Sequence, residues 1–213
     1  MASTSTATLG ARKKPRQARS QATVAAIFEA TIQVLLSDGL QRLTTIRVAE
    51  RAGASVGTLY QYYPHKQALL VAVLQRHLAN VENAITRAAE SSHHTPLATM
   101  VSAVIDALVK VKTGRLDESR ALYAVTTELN SREVVRDYEK RCRIALSAML
   151  ATATDAKFNS LEEVVFVLTT AMSGPTRAVI EGGGPSKMVR ALPKHLRSLC
   201  LGYLLREKRP AAA

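Results

Sequence analysis

The run Ser55-Val56-Gly57-Thr58-Leu59-Tyr60-Gln61-Tyr62-Tyr63 holds the side chains best suited to recognition in this chain of 213 residues. Read as a helix capped by Ser55, it puts Leu59 and Tyr63 on one face and leaves Val56, Gly57, Thr58, Tyr60, Gln61 and Tyr62 on the others. Gln61 carries the paired donor and acceptor that match an adenine edge, Thr58 and Val56 offer methyl groups to a thymine, and Gly57 lets the backbone come close. Just upstream, Thr44 caps a shorter helix whose buried side is Val48, Ala49 and Ala52, and Gly53 supplies the positive φ that ends it. Two short helices around a three-residue turn form a helix-turn-helix, a shape that enters a DNA groove.

The residues Thr44, Val48, Ala49, Ala52, Gly53, Ser55, Gly57, Thr58, Leu59, Tyr60, Tyr62, Tyr63 and Lys66, at their spacings, resemble the DNA-binding domain of the TetR (tetracycline-repressor-like) transcriptional regulators, over roughly residues 20 to 75. The departures are Ala54 where a larger aliphatic is usual, Tyr63 where phenylalanine is usual, and Gln67 where an acid often follows the lysine. The resemblance implies that Thr45, Tyr60 and Lys66 hold phosphates, which set register, while Val56, Gly57, Thr58, Gln61, Tyr62 and, if its helix leans in, Arg47 read base edges. It also implies a repressor that leaves a palindromic double-stranded operator when a small molecule binds, and a homodimer paired through its last two long helices.

Charge and composition agree. The formal net charge is +12, and residues 1 to 66 hold nine Lys/Arg against three Asp/Glu, so half the excess sits in under a third of the chain. Such concentration suits a polyanion partner and salt-dependent binding. The N-terminal arm, with Arg12-Lys13-Lys14-Pro15-Arg16 and Arg19, reads as a flexible basic segment over 1–20 that adds affinity beside the recognition helix or is only a solvated tail. No continuous stretch of about 18 apolar residues and no secretory leader is expected, which makes the expected location the cytoplasm. Cys142 and Cys200, far apart in helical patterns, read as buried small hydrophobes. No cofactor or metal is expected: the pair His93-His94 lacks neighbouring ligands, and no nucleophile elbow or phosphate loop argues for an enzyme. A basic DNA-coating protein would share the charge but has no need of a capped Gly-Thr-Leu-Tyr-Gln-Tyr helix.

Apolar positions recur at helical spacing throughout, so the expected fold is all-α: a basic arm over 1–20, a helix-turn-helix domain over 21–66 and a helical effector-binding and dimerisation domain over 67–213. Val24, Ile27, Phe28, Thr31, Val34 and Leu35 mark a first helix stopped at Asp38-Gly39; Leu70 to Ile85 mark a long one bearing a buried His77; five more are predicted over 96–112, 116–129, 131–155, 160–181 and 186–205. Leu161, Val165, Leu168 and Met172 share one face, and Leu192, Leu196, Leu199 and Tyr203 another; both are expected to form the dimer interface, with the chain's own core as the alternative. Tyr123, Thr126, Thr127, Phe166, Thr169, Thr170 and Ser173 are the candidate lining of a moderately apolar effector pocket, and Gly174-Pro175 is expected to kink or loosen its helix.

Overall fold

A computed structural model describes residues 18–129, 131–182 and 185–209; most of the basic arm and the punctuating Asn130, Gly183 and Gly184 lie outside the described residues. Among those described the chain is all-α, with nine helices: α1 Ala18–Arg42, α2 Thr45–Ala52, α3 Val56–Tyr62, α4 Lys66–Ser91, α5 Leu97–Thr113, α6 Leu116–Glu128, α7 Arg132–Ala151, α8 Leu161–Glu181 and α9 Ser186–Glu207. They form two compact units. One comprises the described residues up to His77 together with Ala124–Ser131, and the other Leu78–Tyr123 with Arg132 onward. The division falls inside α4 and α6, whereas the sequence pattern set the end of the helix-turn-helix domain at residue 66.

In the first unit, α1 breaks at Gly39 (φ 77°, ψ 167°), a backbone state that a β-carbon disfavours, before a last turn to Arg42. The segment is apolar and long enough, by length and composition alone, to cross a membrane, contrary to the expectation that none would be. Here its apolar stripe is used differently: Ile27, Ile32, Val34 and Leu35 are buried where α1 packs on α2. Thr31, within that stripe, returns its hydroxyl to the Ile27 carbonyl at 2.7 Å, which satisfies it without an outside partner.

The second unit is built on one apolar core from α4, α5, α7, α8 and α9. That core claims the residues expected to pair two subunits. Val165, Leu168 and Met172 of α8, with Leu192 and Leu196 of α9, are buried within the chain, and Leu161 and Tyr203 pack on the same cluster. Only Leu199, 47% exposed, faces outward as the dimer reading required. The opposite face of α8 is the exposed one: Phe166 is 58% exposed, and Thr170 and Ser173 are exposed beside it. Their hydroxyls, and that of Thr169, donate to carbonyls of their own helix, Thr169 to Val165 at 2.9 Å, Thr170 to Phe166 at 3.0 Å and Ser173 to Thr170 at 3.2 Å. The face of α8 expected to pair subunits is thus the one buried within the chain, and the face expected to line a pocket is the one exposed. A 3.6-residue period locates an apolar stripe but does not say which neighbour covers it. Pro175 does not break α8; the helix runs through it to Glu181.

His77 is buried, as its place in the stripe predicts. Cys142 and Cys200 are buried free thiols, and burial pushes each up to about 11. Protonated at ordinary pH, they are poor nucleophiles. A small apolar cavity between α5, α7, α8 and α9 is lined by residues including Val104, Leu146, Met149, Leu168 and Cys200.

Lys112 is 6% exposed, and burial depresses its ammonium to about 8 from an ordinary 10.5. Between those values the unfolded chain binds more protons than the folded one, so the second unit gains stability as pH rises. Tyr123 runs the other way: burial raises its phenol from 10.0 to about 12, so stability is lost once the unfolded tyrosine ionises above pH 10. Burial of Cys142 and Cys200, which raises their thiols from 9.0 to about 11, likewise costs stability above pH 9. The Lys112 contribution is therefore read by difference: the stability of Lys112→Met relative to the unsubstituted chain is expected to drop by roughly 2–3 kcal/mol at most between pH 8 and 10, checked by urea unfolding of both.

Candidate nucleic-acid interface

Helices of eight and seven residues leave most of their end groups outside the helical ladder, so α2 and α3 depend on their caps. The Thr44 hydroxyl accepts from the Arg47 amide at 3.2 Å, and the Ser55 hydroxyl from the Thr58 amide at 3.0 Å. Gly53 closes α2 in the left-handed region (φ 64°, ψ 28°), its amide bonding back to Glu50 at 3.2 Å. Tyr63 ends α3 in extended backbone, and its amide donates to the Leu59 carbonyl at 2.9 Å. The inner faces are anchored by Val48, Ala49 and Leu59, all fully buried.

The outward face of α3 presents Val56, Gly57, Thr58, Tyr60 and Gln61, as the spacing predicts, with one exception. Tyr62 is 8% exposed and packs at 6.3 Å from the Tyr63 ring, itself 5.7 Å from Phe28. Two consecutive aromatic residues enter the core because α3 ends at Tyr62 and Tyr63 adopts an extended conformation; helical periodicity stops applying between them. The reading of Tyr62 as a base contact is therefore corrected to a packing role. Burial raises the Tyr63 phenol to about 12.

The expected phosphate ligands show a finer arrangement than their spacing suggested. The Thr45 and Tyr60 hydroxyls lie 3.0 Å apart across the two helices. One of their two O–H protons is spent between them, which leaves one donor for an outside acceptor. Lys66 Nζ donates to the Leu40 carbonyl at 2.6 Å, so in the free protein it ties the start of α4 to the end of α1. Arg47 is half exposed and bound to Asp38 at 2.6 Å; hydrogen bonding from Ser37, then Arg47, holds that carboxyl below its usual range. None of these ties is visible in a linear pattern, because their partners come from a different helix. Ile46 was also missed: it is 53% exposed in the first turn of α2, off the Val48–Ala49 face, and the same face analysis would have found it.

Gly57 is helical, and a methyl added there would meet only the Ser55 hydroxyl oxygen at 3.7 Å, an ordinary contact. The protein's own packing therefore makes no demand for glycine at this position. An exposed polar helix face with one bare backbone site, capped and seated on a three-helix core, defines a helix-turn-helix DNA-binding protein. The comparisons agree. Residues 27–73 match the family of bacterial regulatory proteins described as the tetR family, and residues 96–204 match the tetracyclin repressor-like C-terminal domain. The second match alone covers about half the chain, and the chain belongs to the tetR family of transcriptional regulators, which bind DNA.

Among relatives, the repressor KstR of Mycolicibacterium smegmatis is 40% identical over 63 residues, 30% of this chain and 31% of KstR. The chain thus matches less than a third of that relative's length. The nucleoid occlusion factor SlmA of Pasteurella multocida is 26% identical over 169 residues, 79% of this chain and 73% of SlmA. A crystal structure of a TetR-family regulator from Mesorhizobium loti shares the fold, with a TM-score of 0.73 at 16% identity, over 91% of this chain and all of that one.

Replacing Gly57 with Ala is expected to raise the thermal stability of the first unit, by about 0.5–1 kcal/mol from the gain in helix propensity, while weakening DNA binding measured by fluorescence anisotropy. Unchanged DNA affinity would remove Gly57 from the contact surface.

Proposed function

We propose that this chain is a sequence-specific repressor that binds a palindromic operator as a homodimer and leaves it when a small molecule enters the second unit. It acts by binding rather than catalysis, on chromosomal DNA in the cytoplasm. The observation that carries the reading is the capped α3, whose outward face holds Gln61, Thr58, Val56 and a glycine that nothing inside the chain requires. Gln61 reads adenine; Thr58 and Val56 meet thymine methyls; Thr44, Arg47 and Ser55 lie at the helix starts that approach the backbone. The donor left over from the Thr45–Tyr60 pair serves a phosphate, and Lys66 does so on exchanging the Leu40 carbonyl for a phosphate oxygen.

One helix-turn-helix spans too few base pairs for useful selectivity, and a two-fold pair doubles the reading. The exposed face of α8 and its neighbour on α9 supply the surface. Phe166 and Val167 on α8, with Met188 and Leu199 on α9, are large apolar side chains left in water. Gly174 lies on the same helix with open space where a β-carbon would stand, which permits close helix approach. The interface is accordingly assigned to these residues, and Phe166, Thr170 and Ser173 move from pocket to interface.

Selection of bound fragments from a random duplex pool at roughly physiological salt is expected to enrich a palindrome with half-sites about one helical turn, or a small multiple, apart. Binding with no enriched sequence would replace this reading with that of a basic coating protein. Gln61→Ala is expected to relax the choice at one base pair by about 1–3 kcal/mol and leave random DNA unaffected.

The double variant Phe166→Asp/Leu199→Asp is expected to sediment as a monomer with its helix content intact. Leu168→Ala, a core truncation, is expected instead to cost about 2–5 kcal/mol of stability without separating the subunits. Dissociation by Leu168→Ala at full stability would restore the buried face of α8 as the interface.

A further inference from the structure

Helix α2 carries a side chain that neither its caps nor its core employs. Among the described residues of the first unit, three large apolar side chains stand in water, Leu36, Ile46 and Tyr60. Ile46, 53% exposed, is the one in the first turn of α2. Its two neighbours in sequence fix its direction. Thr45 turns toward α3, where its hydroxyl meets that of Tyr60 at 3.0 Å, and Arg47 turns toward the end of α1, where Asp38 holds it at 2.6 Å. Successive helical residues are about 100° apart, so Ile46 projects between those two directions, off the face of Val48 and Ala49. It stands one residue from the hydroxyl pair that joins α2 to Tyr60, a side chain of the outward face of α3.

The charges along α2 show which end of it can approach DNA. Glu50 is exposed one turn further along the same flank as Ile46, and its carboxylate there repels phosphate. The first turn holds no acid, and the positive end of the helix dipole favours phosphate beside it. An α2 that meets DNA with its first turn brings Ile46 in with it. The isoleucine side chain has no atom that can bond to a phosphate, and an ionic backbone gives its apolar surface nothing to match. In the major groove the matching surface is the C5 methyl of thymine. A β-branched side chain on a helix is confined almost to one rotamer, so it offers a surface of fixed shape with little freedom to lose on contact.

We propose that Ile46 reads a thymine methyl at a base pair beside those read by α3, so that both helices of the motif select sequence. This rests on the reading of the chain as a sequence-specific DNA-binding repressor and adds a specificity-determining residue to it. The first turn of α2 then divides its work: the Thr45–Tyr60 pair and Arg47 flank the backbone, and Ile46 between them enters the groove.

Uracil in place of thymine deletes that methyl and keeps the base pair, which makes it the direct probe. The palindrome enriched from the random duplex pool is remade with one thymine per half-site at a time replaced by uracil, and fluorescence anisotropy gives the affinity of the unsubstituted chain and of Ile46→Ala for each copy. At one thymine beside those read by α3, the unsubstituted chain is expected to lose about fourfold in affinity per half-site, as for one methyl group returned to water. Ile46→Ala is expected to lose nothing there, while keeping its losses at the other thymines and its affinity for random duplexes. Alanine is the better helix former at an exposed site, so the thermal midpoint of the variant is expected to be no lower. Uracil penalties identical in the two proteins, or no penalty at any thymine, would overturn the proposal. An equal loss by Ile46→Ala on selected and random duplexes would do the same, by making Ile46 a contact to the sugar-phosphate backbone. A pool that yields no enriched sequence removes the repressor reading and the role of Ile46 together, whereas an enriched palindrome with identical penalties removes the role of Ile46 alone.

Discussion

Short helices stand only if their ends are closed, and the DNA-facing unit is organised around that constraint. At seven and eight residues, α3 and α2 have too few internal backbone bonds to persist alone. Thr44 and Ser55 supply the missing acceptors at their starts, and Gly53 makes the turn between them without steric cost. Burial of Val48, Ala49 and Leu59 then fixes the angle at which α3 is offered. The recognition surface is what remains after those demands are met, which is why its side chains are small, polar or single-ringed: none is needed for the core.

The same interplay of internal demand and surplus distinguishes the faces of α8. Its interior stripe is consumed by α5, α7 and α9, and Thr176 even spends its hydroxyl on the Met172 carbonyl at 2.7 Å. What is left outside is unusually apolar, with Phe166 and Val167 facing water. Apolar side chains scattered singly over a surface are ordinary, but Phe166 and Val167 stand consecutively on one helix. The Thr and Ser residues beside them satisfy themselves within the helix and so present methyl and methylene groups rather than open hydroxyls.

Charge is handled differently in the two units. In the first, the pairs are near the surface and local: Asp38 with Arg47, Lys66 with a helix-end carbonyl. These are contacts that a phosphate could exchange at small cost, since an exposed pair holds its partners weakly. In the second, Lys112 is placed where exchange with water is not available, and its charge is tuned by burial and by an aromatic ring. α6 belongs in part to each unit, Tyr123 to the one holding the buried charge and Glu128, bonded by Gln41 at 3.0 Å, to the one holding the recognition helix.

The sequence by itself determined the helical fold, the two short capped helices and most of the recognition face, because those follow from contacts within one turn: a hydroxyl three residues from an amide, a glycine at a forced φ, apolar side chains three and four apart. All five α3 residues that face outward, Val56, Gly57, Thr58, Tyr60 and Gln61, were legible on that basis alone. Tyr62 was not, since its direction is set by where α3 stops and Tyr63 turns into extended backbone. Nor were the tie from Lys66 to Leu40, the Thr45–Tyr60 pair or the depth of Lys112, each of which depends on a second helix. Only the tertiary structure decided which stripe of α8 is core and which is surface. An amphipathic pattern records that a face avoids water, and the neighbour that removes the water is chosen by packing among segments far apart in the chain.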